Sequence, residues 1–207
     1  MKPRSWLAAM LLTTAGAFSI PALAQDEPPD ALLKRLSTEV MATIKADPAI
    51  RAGDPGRVIA LVDGTIMPNV NFTRMTATVV GRHWREATPE QQKQLQDELK
   101  TLLVRTYSAA LGEVKDHTLT FRPMRSKPDD TEVVVRSEVR GRGDPIQLDY
   151  RLEKAGTGWK IYDINVLGVW MVETYRTQFA QEINARGIDG LIASLVQRNR
   201  TNSTRTR

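Results

Sequence analysis

Trp159 to Phe179 reads WKIYDINVLGVWMVETYRTQF and changes hydrophobic period across a single glycine. Before Gly168, Trp159, Ile161, Ile164 and Val166 read as a strand. Beyond it, Val172, Tyr175, Phe179 and Ile183 recur at helical spacing. A strand feeding a helix in this way wraps an apolar interior with a few hydroxyls at its edge. No nucleophile, metal cluster or phosphate loop accompanies it, so the pattern points to apolar binding rather than catalysis.

Upstream of this stretch the period is two. Leu119 and Phe121, then Val133, Val135 and Val139, then Ile146, Leu148, Tyr150 and Leu152 alternate with polar residues. Turn residues separate the runs: Lys127-Pro128-Asp129-Asp130, Gly141-Arg142-Gly143-Asp144-Pro145 and Ala155-Gly156-Thr157-Gly158. Connections this short predict an antiparallel meander of four strands. Downstream, a closing helix is expected from Met171, broken near Gly187 and resuming with Ile188, Leu191, Ile192 and Leu195.

The first half of the chain is helical by the same criterion. Leu33, Leu36, Val40 and Ile44 form a stripe that Pro48 ends. Asp54-Pro55 opens a helix carrying Val58, Leu61 and Val62, which Pro68 interrupts. Phe72, Met75, Val79 and Val80 share a face, with Gly81 suited to a left-handed C-cap. Thr88-Pro89-Glu90-Gln91 is a capping box with proline at the first helical position. The helix it opens should run to Leu111, lined by Leu95, Leu99, Leu102, Leu103 and Tyr107, with Gly112 as its stop. Helices, a meander, then a helix predict an α+β fold: a curled four-stranded antiparallel sheet with helices on one face.

Residues 1–24 stand apart as a secretory signal peptide. Lys2 and Arg4 precede an apolar run from Trp6 to Ile20, and Ala22-Leu23-Ala24 has the small-x-small form of a cleavage site. An uncleaved anchor would need about 20 apolar residues, more than this run offers. We therefore expect a mature chain from Gln25: one domain over residues 25–196, then a flexible basic tail over 197–207. The sequence has no cysteine, so neither disulfides nor zinc-thiolate chemistry are available to an exported chain. Its 29 Lys+Arg exceed 24 Asp+Glu, but several of these bases lie in the leader and the tail. The body is near neutral, and we expect no nucleic-acid partner.

His83 and His117 are the only histidines, too few for a metal site of three or four ligands. One constellation permits an enzyme reading: Asp163, desolvated in a hydrophobic pocket beside Tyr162 and Tyr107, could serve as the base of an isomerase. Asp163 fits a solvated strand residue or the partner of a basic side chain equally well. Asn199-Arg200-Thr201 and Asn202-Ser203-Thr204 match the N-glycosylation pattern, in a polar tail.

Two blocks carry a family resemblance. MPNVNFTRMTATVVGRHWREATPEQQKQLQDELKTLLVRTYSAAL and WKIYDINVLGVWMVETYRTQFAQEINARGIDGLIASL resemble the MlaC family of toluene-tolerance auxiliary proteins, and the similarity extends from about Leu32 to Leu195. The resemblance implies a cone-shaped, NTF2-like fold with a lipid cavity between sheet and helices. It also implies a periplasmic, non-enzymatic shuttle that carries phospholipid between the outer membrane and an inner-membrane ABC transporter complex, maintaining outer-membrane lipid asymmetry. Implied partners are an outer-membrane lipoprotein/porin complex and the transporter's substrate-binding subunit. Phospholipid is then cargo, and no cofactor is expected.

On this reading the acyl chains meet Phe72, Met75 and Val79, Leu99, Leu103 and Tyr107, and from the sheet Val135, Leu148, Tyr150, Ile164, Val166 and Val169. Each would serve equally as ordinary core. Arg82, His83 and Arg85 are candidates for a headgroup or a partner, or form a solvated loop. Three positions depart from the family: Asn71 stands where aspartate is frequent, Leu167 where glutamate is, and Trp170 where serine is. An isoprenoid or sterol-like lipid is an alternative cargo.

Overall fold

The computed structural model describes residues 27–113, 117–124, 127, 129–141, 143–156 and 158–205. The expected signal peptide lies outside them, as do the turn residues Pro128, Arg142 and Thr157. Helix α1 (Pro29–Ala46) buries Leu33, Leu36 and Ile44 of the expected stripe together with Leu32, while Val40 is half-buried. Pro48 ends it and opens α2 (Pro48–Arg51), whose cap is the Asp47 side chain accepting from the Ala49 N–H at 2.9 Å. Asp54 caps α3 (Pro55–Leu61) in the same way, accepting from Arg57 N–H at 2.8 Å. A π turn and a 3-10 turn, Val62–Ile66 and Met67–Asn69, carry the chain past Pro68 to α4 (Phe72–Val80).

Gly81 has φ +70° but ψ −139°, so it reverses the chain outside the left-handed helical basin expected of it. The 3-10 turn Gly81–Arg85 follows. Helix α5 (Pro89–Glu113) starts on the expected capping box: Gln91 N–H donates to Thr88 Oγ1 at 3.2 Å, and Gln91 Oε1 accepts from Thr88 N–H at 2.9 Å. It passes Gly112, the expected stop, because glycine costs a helix about 1 kcal/mol of propensity without removing a hydrogen bond.

The sheet is an antiparallel meander of order β1-β2-β3-β4-β5. Its strands are β1 (Thr118–Phe121), β2 (Glu132–Arg140), β3 (Ile146–Ala155), β4 (Gly158–Val166) and β5 (Val169–Trp170). The fifth strand corrects the expected four. It folds back on β4 through Leu167 and Gly168, at φ +52° and +86°, the positive φ pair that tight two-residue hairpins demand.

A β-bulge explains the irregular apolar spacing of β4. Ile161 and Ile164 are three residues apart, which regular alternation would send to opposite faces. The register shifts between Arg151 and Leu152, so Ile161 pairs with Leu152, Ile164 with Tyr150 and Val166 with Leu148, and Tyr162 is the extra residue. Ile161, Ile164 and Val166 therefore share one face with Leu148, Tyr150 and Leu152. Asp149, Arg151, Glu153, Asp163 and Asn165 share the other.

The core has three parts. Helix α1 covers the apolar sheet face, placing Leu32, Leu33 and Leu36 against Val135, Tyr150, Leu152 and Ile161. A helical layer joins Phe72, Met75 and Val79 of α4 to Leu95, Leu99 and Leu102 of α5 and to Val172, Tyr175 and Phe179 of the closing helix α6 (Met171–Arg205). A third cluster packs Ile44, Ile50, Val58 and Leu61 on Val104. Val70 touches both the sheet and helical clusters, bridges to Ile161, and is followed by Asn71, whose N–H donates to the Ile161 carbonyl at 2.8 Å.

Helix α6 kinks at Gly187, φ +70°, at the expected break. The residues from 197, expected as a flexible tail, instead continue the helix to Arg205. Asn199, in one of the glycosylation patterns, is buried and donates to the Glu98 carbonyl at 3.0 Å and its carboxylate at 2.6 Å. Those two hydrogen bonds dock the end of α6 on α5.

Candidate functional site

The junction of β4 with α6 is fastened by Asp163, which is 1% exposed. Its Oδ1 accepts from Ile164 N–H at 2.9 Å and from Val172 N–H at 3.1 Å, in the first turn of α6 where backbone donors lack intrahelical partners. Its Oδ2 accepts from Arg151 at 3.0 Å. Burial raises the carboxyl above its ordinary range, more than those hydrogen bonds and the arginine lower it.

The enzyme constellation is not assembled. Tyr162 donates its hydroxyl to Glu132 at 3.0 Å, and the Tyr107 hydroxyl lies 3.5 Å from Met171 Sδ. Every Asp163 contact is structural: it ties β3, β4 and α6 together.

Two of the three departures, Asn71 and Trp170, have structural partners. Asn71 caps α4 by accepting from Arg74 N–H at 3.0 Å, and its amide donates to Glu153 at 2.6 Å, which an aspartate could not do. Trp170 receives the Arg151 guanidinium 3.8 Å from its ring centroid. Leu167 is 64% exposed at the hairpin tip.

The predicted apolar contacts fall into three places. Phe72, Met75, Val79, Leu99 and the partly buried Leu103 belong to the helical layer. Val135, Leu148, Tyr150 and Ile164 belong to the sheet face under α1, where burial raises the Tyr150 phenol. Tyr107, Val166 and Val169 belong to neither cluster: Val166 is half-buried, and Tyr107 and Val169 are 40% and 55% exposed.

A cleft of about 510 Å³ lies beside Tyr107, between α5 and α6. Leu102, Thr106 and Tyr107 form one wall, and Thr174, Tyr175 and Gln178 the other. Burial pushes the Tyr175 phenol up to about 12, so it stays a neutral hydroxyl. Tyr175 and Leu102 lie on apolar stripes of the sequence. The threonines and the glutamine carried no signal, because a groove between two helices six elements apart is not a sequence pattern.

Arg82 and Arg85 are exposed on the turn between α4 and α5, and His83 Nδ1 lies 2.7 Å from Glu86 Oε2. None of the three lines the cleft. Among the described residues no three His, Cys, Asp or Glu side chains gather to hold a metal ion, and no helix is long and apolar enough to cross a membrane.

Comparisons with known proteins agree with this geometry. A phospholipid-binding protein from Ralstonia solanacearum, solved in complex with a phospholipid, is 47% identical, superposes with a TM-score of 0.82, and is matched over 86% of this chain and 99% of its own. A toluene tolerance protein of Pseudomonas putida, ttg2D, is 26% identical over 86% of this chain and 83% of its own length. The intermembrane phospholipid transport system binding protein MlaC of Haemophilus influenzae is 23% identical over 82% and 81%. The MlaC protein family model matches residues 34–197, and the chain belongs to that family.

Proposed function

We propose that this chain is a periplasmic phospholipid carrier, exported by a signal peptide cleaved after Ala24 and moving lipid without chemical change between the outer membrane and an inner-membrane transporter. The observation that carries the reading is the phospholipid bound by the Ralstonia solanacearum protein, whose fold this chain reproduces over nearly its whole length. Physically, the acyl chains lose about 0.8 kcal/mol per methylene when exposed to water, while a headgroup resists burial. An apolar interior with a hydrated mouth answers both demands.

The sheet and helical clusters meet at Val70, and in this reading the mouth lies by the less buried Val166, Val169 and Tyr107. In this reading the two layers part there in an NTF2-like cone, acyl chains pass between them, and the headgroup stays outside. Docking partners are an outer-membrane lipoprotein/porin complex and the substrate-binding subunit of an inner-membrane ABC transporter.

Mass spectrometry of an organic extract of the purified mature protein tests the proposal. Diacyl phospholipid near one molecule per chain, in a headgroup mixture matching the host membrane, is the expected result. Recovery of an isoprenoid or sterol-like lipid instead would change the cargo. Lipid-free protein that also takes no phospholipid from vesicles would overturn the carrier reading.

A further inference from the structure

The polar face of the sheet treats its arginines in two ways. Over β3 and β4, Arg74 pairs with both Glu153 and Glu132 and lies 3.7 Å from the Tyr162 ring centroid. Arg151 is held by Asp163 at 3.0 Å and Glu173 at 3.6 Å, and stacks on Trp170. Each has two carboxylates and an aromatic face.

Over β1 and β2 the opposite holds. Arg122 N–H donates to the Arg136 carbonyl at 2.9 Å, extending the β1–β2 ladder by one step and setting the two residues opposite each other. Directly opposed residues on adjacent strands have Cα atoms about 5 Å apart, and like charges there repel. Both side chains are exposed, and among the described residues neither has a carboxylate partner. Glu138 is taken by Arg140 at 3.1 Å. Asp149 stands across from Arg136 in the register, but it is buried, accepts from Gln147 at 2.7 Å, and makes no ion pair with Arg136.

The two arginines border a cleft of about 350 Å³ whose other lining residues are Pro123, Met124 and the 39%-exposed Val134. A concave site with two adjacent guanidiniums and an apolar lining fits a carboxylate on a short side chain flanked by apolar residues. It lies at the end of β1, the edge strand of the sheet, and edge strands are where extended segments of partner proteins commonly dock. A flat anionic bilayer would be met better by a convex basic surface.

We propose that the Arg122–Arg136 cleft is a docking site for an acidic segment of a partner protein, separate from the lipid-binding interior. The lipid proposal is not needed for it, and lipid content is read in parallel so that the two can fail separately.

The test uses the mature protein and a fluorescein-labelled peptide of alternating glutamate and valine, followed by anisotropy. Binding should weaken roughly ten-fold or more in Arg122→Gln/Arg136→Gln and further in Arg122→Glu/Arg136→Glu. It should fall between about 0.02 M and about 0.3 M salt, and a glutamine-for-glutamate peptide should not bind. Arg51→Glu, an exposed change on α2, controls for net charge and should bind like wild type. Bound lipid should be unchanged in the glutamine pair, and its thermal transition no lower than that of wild type. Equal weakening by Arg51→Glu, no peptide binding at low salt, or binding of vesicles with about one-quarter phosphatidylglycerol in preference to the peptide would each overturn the proposal.

Discussion

The two ends of β4 carry the same kind of side chain in opposite surroundings. Ile161 is 2% exposed, paired with Leu152, packed under α1 and bridged by Val70 at the strand's free edge. Val166 is half-buried, and beyond it Leu167 and Val169 stand in solvent. The difference is coverage, not composition: α1 and Val70 close one end, while the other runs into an apolar hairpin tip. There Leu167 holds a left-handed φ of +52°, a conformation that costs an L-residue about 1–2 kcal/mol. Apolar residues at the first end are covered by packing, and those at the second are left partly or fully in solvent.

Substitutions along the strand should break this contrast, in descending order of stability at stake. Ile161→Ala leaves a cavity in a closed core and should cost about 2–5 kcal/mol in urea unfolding, with the lipid content of the molecules that remain folded unchanged. A loss under about 1 kcal/mol would mean that this end is open as well.

Asp163→Ala removes the acceptor that joins Ile164 and Val172 and should cost about 1–3 kcal/mol, whereas Asp163→Asn keeps an acceptor and should cost less. Neither should lose bound phospholipid. Burial raises the folded carboxyl above its ordinary 3.8, so the folded state binds the proton more tightly than the unfolded one. The contribution of Asp163 to stability is then fullest at acid pH and declines as pH rises from the ordinary value through the raised one. Denaturation at several pH values should show Asp163→Asn gaining on wild type across that window. A gap that widens the other way would show that the Arg151 pair outweighs burial.

Val166→Glu tests the open end. A carboxylate there stays hydrated, so the fold should lose only about 1 kcal/mol, with near-native circular dichroism and a retained thermal transition. Phospholipid recovered by extraction should fall to background. If the transition disappears together with the lipid, Val166 is closed core, and a folded variant with full lipid content would move the cavity elsewhere.

Leu167→Gly relieves the left-handed strain at the cost of unfolded-chain entropy, for a net gain of about 0.5 kcal/mol. Calorimetry should therefore show a slightly higher Tm. Lower lipid transfer between vesicles at unchanged lipid content would assign the exposed leucine to delivery rather than to holding.

Much of this was legible in the chain. The period change at Gly168, the reciprocal cap at Thr88 and Gln91, the proline punctuation and the break at Gly187 are local signals, set by backbone geometry within a few residues. Stripes such as Leu95, Leu99 and Leu102 predict burial, and burial is what the structure shows. The helix over residues 197–205 is not legible in a polar, basic composition, because two hydrogen bonds from Asn199 to Glu98, 101 residues away in sequence, dock it. The partners of Asp163 are not legible in sequence, because its strand neighbours say nothing of Arg151 or of the first turn of α6.

Sequence by itself determined which residues are apolar, where helices and strands begin, and which family the chain resembles, since periodicity and capping act over one or two turns. Tertiary structure alone decided that Tyr162 is the extra residue of a bulge, which puts Ile161 and Ile164 on one face. It decided also that Arg74 and Arg151 are neutralised while Arg122 and Arg136 stand together without a carboxylate partner among the described residues. The physical reason is that register, coverage and charge pairing are properties of strands and helices brought together from distant parts of the chain, and every apolar or charged residue offers several such partners until packing selects one.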